Sequence, residues 1–184
     1  MTTALLLIDI QNDYFPGGAM ECVGASAAGA QAAKLLGAFR EQRRPVIHVQ
    51  HLSIRPGATF FVPGTPGAEI HSGVRPVGDE PLFKKHFPNA FRETALLEHL
   101  RLSKISGLVI AGMMTHMCID TTTRAAADFG FSCSLAHDAC ATRALAFNGV
   151  QVPAESVHAA YLAGLNGLFA RVRGVNELLT ELRP

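Results

Sequence analysis

Charge, cysteine and long apolar runs are all scarce in this sequence, and each scarcity removes a class of protein. Charged residues make up 17% of the 184 positions, 16 basic against 15 acidic, for a formal net charge of +1. No basic block interrupts that balance, so the footprint of a nucleic-acid binder and the polybasic patch of a membrane-surface protein are both missing. The four cysteines, Cys22, Cys118, Cys133 and Cys140, show neither C-x-x-C spacing nor a Cys/His cluster, which argues against a structural metal. With 48% hydrophobic residues the chain has core enough to need no disulfide framework. The first apolar run, ALLLI (4–8), lacks a preceding basic region and is cut off by Asp9, so it reads as neither signal peptide nor membrane span. The expectation is one domain over 1–184 in a reducing cytoplasm.

What is present is an alternation of short apolar runs with stretches of helical period. ALLLI (4–8), PVIHVQH (45–51), SGLVIAGM (106–113) and FSCSLAHDA (131–139) read as strands, with FKK (83–85) and FARVR (169–173) as shorter ones. Helices are predicted from about Ala25 to Arg43, where Ala28, Ala32, Leu35, Leu36 and Phe39 share a face, and near Phe91–Leu102. Others are predicted after Cys118 as far as Gly130, over 153–168 with Pro153 in the first turn, and near Val175–Leu182. This order implies an α/β fold, a three-layer α/β/α arrangement around a mostly parallel sheet of about six strands. Right-handed crossovers place every strand's carboxyl end on one edge, where ligands bind. Residues 52–80 resist assignment, holding five Gly and four Pro, and read as a long functional loop packed over a pocket through Phe60 and Phe61.

Three chemically able residue types fall at strand ends. Cys118 stands where a strand turns into a helix, and a thiol in a first helical turn meets unpaired N–H groups and the positive end of the helix dipole. Both ease thiolate formation, and the same amides suit a developing oxyanion; the alternative is an inert buried thiol. Asp9 ends a buried strand, where a carboxylate must be paired, hydrogen-bonded or used as a base; the alternative is a cap for the turn in DIQND. A lysine of the Lys84–Lys85 pair is placed to stabilise both, unless it is an ordinary solvated one.

Five stretches carry a resemblance that runs the length of the chain: LLLIDIQNDYF (5–15), VPGTPGAEIH (62–71), KHFPNAFRETALLEHL (85–100), LVIAGMMTHMCIDTTTRAAADFGF (108–131) and, more weakly, HDACAT (137–142). The sequence resembles the isochorismatase-like cysteine hydrolases, a family that includes nicotinamidases, N-carbamoyl amidohydrolases and streptothricin hydrolases. That resemblance implies an Asp–Lys–Cys triad on Asp9, Lys85 and Cys118. Lys85 is chosen because the family's lysine lies six residues before the Phe of a Ser/Asn-Ala-Phe signature, here Asn89, Ala90 and Phe91. It also implies a cis peptide at Met113–Met114 and an oxyanion hole made by the backbone amides of Met114 and Cys118. A small-molecule substrate and a homo-oligomer, dimer or larger, are implied as well. Tyr14, Phe15, His51, Phe60, Phe61, Thr115 and His116 are the candidate substrate-binding residues.

The sequence also departs from its relatives. Nicotinamidases of the family carry a metal on an Asp-x-His segment after the second strand, and the matching stretch here reads Gln50-His51-Leu52 without a carboxylate. No metal or other cofactor is expected. The presence of the cysteine favours cleavage of a C–N bond over the vinyl ether that isochorismatases proper cleave. A thiol redox protein is the alternative of another class, since Thr115-x-x-Cys118 resembles a peroxidase signature, but Ala111 stands where that signature has Pro. A domain that has kept the fold and lost activity is a third reading, which slow or non-selective alkylation of Cys118 by iodoacetamide would favour.

Overall fold

The computed structural model describes residues 2–182. The first apolar run forms β1 (Thr2–Ile8), and its period of two feeds both faces of the sheet. Leu5 and Leu7 enter one core cluster, while Ala4, Leu6 and Ile8 enter the other. A strand covered on both sides has no polar face, which is why the run is continuously apolar.

After β1 come α1 (Ala25–Glu41), β2 (Val46–His51), β3 (Leu82–Lys85), α2 (Leu96–Leu102) and β4 (Ile105–Met113). The second half adds α3 (Asp120–Asp128), β5 (Ser132–Ala141), β6 (Leu145–Phe147), β7 (Val150–Val152), α4 (Ala154–Leu165), β8 (Arg171–Arg173) and α5 (Val175–Glu181). Six of the strands make one sheet in the order β3-β2-β1-β4-β5-β8, with every pairing parallel. Leu35, Leu36 and Phe39 of α1 and Val175 and Leu178 of α5 cover one face. Leu96 and Leu100 of α2, Ala126 of α3 and Leu165 of α4 cover the other. The expected three-layer α/β/α architecture is the one found.

The order reverses at β1: the chain winds outward through β2 and β3, then returns to pair β4 on β1's other side. A crevice opens outside the carboxyl ends of strands at such a switch point. Contact between β1 and β4 there is close enough to demand glycine. Gly112 has φ +139°, and a Cβ would strike the carbonyl of Ile8.

Two expectations need correction. The helix expected near 91–102 begins only at Leu96. Asn89 Oδ1 accepts the Phe91 N–H and Thr94 Oγ1 accepts the Leu96 N–H, holding the chain in turns. The helix given as 153–168 has Pro153 as its N-cap and stops at Leu165. The antiparallel hairpin β6–β7 was not anticipated. Its turn, Asn148-Gly149, has both residues at positive φ, the arrangement a two-residue hairpin loop requires.

Segment 52–80 is tied down along its length. Asp13 accepts the Phe61 N–H at 2.6 Å, Asn12 Nδ2 donates to the Pro66 carbonyl at 2.8 Å, and Ser53 N–H donates to the Phe61 carbonyl. At its far end Glu80 takes two bonds from Arg40 and one contact from His48. Against its partial burial, those donors hold the Glu80 carboxyl at about 2.

Candidate active site

Four strands deliver one chemical group each to the crevice. Asp9 follows β1, His51 and Lys85 are the last residues of β2 and β3, and Cys118 follows β4 by way of the turn at Thr115–Ile119. The pleat decides between the two lysines. Lys84 points to solvent, whereas Lys85 is 1% exposed. Asp9 sits at φ +52°, a conformation that Asp tolerates better than most residues, as the chain leaves the strand.

The ammonium of Lys85 is the hub. Its Nζ lies 2.7 Å from Asp9 Oδ2, 2.9 Å from His51 Nδ1, 3.0 Å from the Phe87 carbonyl and 3.3 Å from Cys118 Sγ. Since an ammonium has only donors, His51 Nδ1 must accept, which puts the imidazole proton on Nε2. Burial first, and then the neighbouring Lys85 charge, lower the His51 pKa to about 4. His51 is itself fixed by its main chain: Gln11 Nε2 donates to the His51 carbonyl at 2.9 Å, and Gln11 Oε1 accepts the His51 N–H at 2.8 Å. Asp9 is fully buried, and beyond the ion pair neither carboxylate oxygen has a hydrogen bond among the described residues. Its free lone pairs are where a proton can be received.

Cys118 does not sit in a first α-helical turn. Residues Thr115–Ile119 form a π-helical turn, and α3 starts only at Asp120. Burial works against the expected easing of ionisation. Burial above all, and then the Asp9 charge, raise the thiol's pKa well above its ordinary value, and Lys85 offsets only part of this. For Lys85, burial works against the charge, but Asp9 and Cys118 outweigh it, so the pKa is raised. Lys85 and Asp9 thus form a buried ion pair at 2.7 Å beside a thiol whose ionisation is opposed by burial.

Over this hub lies a cavity of about 310 Å³, lined from below by Cys118, Met114 and His51 and from the sides by Tyr14, Phe60, His86, Pro88, Met117 and the 53–59 loop. Such a volume takes a small molecule and nothing larger. The Isochorismatase domain model matches residues 3–177. The chain belongs to the isochorismatase family. An isochorismatase family protein of Bacillus subtilis strain 168, YddQ, is 49% identical over 97% of this chain and 99% of its own. The crystal structure of an isochorismatase-type hydrolase from Oleispira antarctica superposes with a TM-score of 0.94 at 50% identity, covering 97% of this chain and 96% of that one. A streptothricin hydrolase of Streptomyces noursei is 33% identical over 76% of this chain, which spans 49% of that protein. Relatives named nicotinamidase also match.

Within this isochorismatase-family fold, the residues named from sequence divide. Asp9, Lys85 and Cys118 converge, and Met114 and Cys118 both face the cavity beside a Met113–Met114 peptide that is cis. Tyr14, His51 and Phe60 line the cavity, but Phe15, Phe61, Thr115 and His116 do not. Phe15 stacks on His71 with centroids 3.8 Å apart. Phe61, at φ +54°, turns inward and packs its ring edge-on against Tyr14, which leaves Phe60 to the cavity. Thr115 Oγ1 donates to the Ala141 carbonyl and meets His158, and His116 Nδ1 pairs with Thr142 Oγ1. Both side chains are spent in bracing the turn against β5. Asp138 accepts the Val175 N–H at the start of α5, and Asp120 pairs with Arg124 at 2.9 Å.

Sequence reasoning missed the Lys85–His51 bond. The signal was the position of His51 at a strand end directly beside β3, but the register that pairs it with Lys85 is not written in either strand. A metal does not fit well here. Asp9, His51 and Cys118 offer ligand atoms within 4.8 Å of one another, a donor set that zinc accepts. Lys85 Nζ already lies within hydrogen-bonding reach of all three, so the cation's place is filled by an ammonium. Among the described residues no helix is long and apolar enough to cross a membrane.

Proposed function

We propose that this family hydrolase cleaves a C–N bond, of an amide, lactam or ureido group, in a small molecule through a thioester on Cys118. The observation that carries the reading is the meeting of Asp9, Lys85 and Cys118 at the floor of a small-molecule cavity. Asp9 takes the Cys118 proton as the sulfur attacks the carbonyl carbon. The C–S bond forms, the carbonyl π electrons move to oxygen, and the backbone amides of Met114 and Cys118 receive the oxyanion. Its collapse breaks the C–N bond, and ammonia or an amine leaves with the proton from Asp9. Water then gives a proton to Asp9 and attacks the thioester, the acid departs, and the proton returns to sulfur.

Lys85 stays beside the one negative charge as it moves from Asp9 to Cys118, which lowers the cost of that transfer in a dry site. His51 is a positioning residue, accepting one Lys85 proton so that the ammonium stays aimed at the pair. A redox role is disfavoured, because Ala111 stands where the peroxidase signature has Pro. Small amides, lactams and ureido compounds, assayed for ammonia or amine release, test the reading. Cys118→Ala and Asp9→Asn should lose roughly a thousandfold or more of the rate, with a chelator changing nothing in the wild type. Equal release by wild type and Cys118→Ala would place the chemistry elsewhere.

A further inference from the structure

The cavity wall carries one permanent charge. Of the residues that line it, Arg55 is cationic, His51 and His86 are imidazoles, and none is acidic. The charged groups beneath cancel: Asp9 is paired with Lys85 at 2.7 Å. Arg55 itself has no ion-pair partner among the described residues, unlike Arg40, Arg92, Arg124 and Arg171. Nor is its position that of a loose tail. The Ala58 N–H donates to the Arg55 carbonyl at 3.1 Å, the loop is closed at its base by Ser53 N–H on the Phe61 carbonyl, and His86 Nδ1 donates to the Leu52 carbonyl beside it at 2.8 Å. Between the guanidinium and the sulfur the wall is mostly carbon, supplied by Phe60, Tyr14, Met117 and Pro88.

We propose that the cavity selects small amides that carry a second, anionic group, a carboxylate above all, which Arg55 grips at the mouth while the amide carbonyl reaches Cys118. This rests on the hydrolase reading and narrows its substrate class. A guanidinium matches a carboxylate with two parallel N–H donors. An apolar middle accepts an aliphatic or aromatic body, and a cationic substrate meets an uncompensated like charge.

The test uses matched pairs that differ only in the charge: benzamide against 3- and 4-carbamoylbenzoate, and butanamide against succinamate. For at least one pair, wild type should prefer the carboxylate by about tenfold to a hundredfold in kcat/KM, the range of a charge-assisted bond at a partly exposed site. Arg55→Met should collapse that ratio, Arg55→Lys should keep part of it, and added salt should weaken it because Arg55 is exposed. Calorimetric titration of the free carboxylates into Cys118→Ala, with and without Arg55→Met, reads binding without turnover. Preference for the neutral partner throughout, or a ratio that Arg55→Met leaves unmoved, overturns the proposal while Cys118-dependent hydrolysis stands. Arg55-dependent binding of carboxylates without hydrolysis of any amide supports the anion site and removes the hydrolase reading. Neither binding nor turnover overturns both.

Discussion

Replacing Lys85 by Met should destabilise the fold severely, and a second substitution should restore it. Met keeps an unbranched stem in the buried slot and removes the ammonium, so the Asp9 carboxylate, fully buried and without another hydrogen bond among the described residues, loses its counter-charge. Breaking one half of a buried ion pair costs about 3–5 kcal/mol. At about 2–4 °C per kcal/mol for a chain of this size, the melting temperature should fall by roughly 6–20 °C. Asp9→Asn alone should cost less, because Lys85 keeps His51, the Phe87 carbonyl and Cys118 as acceptors. The double variant Lys85→Met/Asp9→Asn contains no orphaned charge and should recover most of the loss, since a buried pair replaced on both sides is near neutral. Urea and thermal unfolding of the four proteins give the double-mutant cycle. Wild-type stability in Lys85→Met, or a double variant no more stable than the single, would refute the account of the hub.

Two further outcomes follow from the same geometry. The His51 pKa is depressed from 6.5 to about 4, so the unfolded chain binds the extra proton first; stability is fully present above about 6.5 and is lost as pH falls toward 4, by at most about 3 kcal/mol. Unfolding of wild type minus His51→Asn, measured across that window, should show the slope, and a flat difference would count against the neutral, Lys85-bound imidazole. Cys118 should react slowly with iodoacetamide at neutral pH and faster as pH rises, because its resting form is the thiol. Slow labelling therefore does not mark an inactive protein, and a rapid pH-independent rate would contradict the burial and the Asp9 charge together.

Much of this was legible in the sequence because it depends on pattern. A run such as ALLLI with no polar alternation reads as a strand covered on both faces, and a residue like Asp9 at its end falls at the ligand edge. Lys85 was separable from Lys84 by resemblance alone, and the pleat supplies the physical reason: successive side chains of β3 point oppositely. What depends on register or on long-range packing was not legible. The His51–Lys85 bond needs β2 and β3 aligned, the roles of Thr115 and His116 need β5 beside the turn, and the inward flip of Phe61 needs Asp13 to hold its amide. The burial that opposes ionisation of Cys118 comes from the packed fold and is not visible in local helix geometry. Asn148-Gly149 was a readable hairpin signal that went unused.

The way Gln11 and Asp13 hold the chain has an evolutionary consequence. Half of the residues around the cavity come from 53–60, a stretch anchored at its ends by main-chain bonds and by Asp13, whereas the reacting groups hang from the sheet and Gln11 grips His51 independently. Side chains in that stretch can be exchanged without moving the sulfur, the carboxylate or the ammonium. New chemical tastes can thus arise on an unchanged engine, a division of labour that suits one framework to many small molecules.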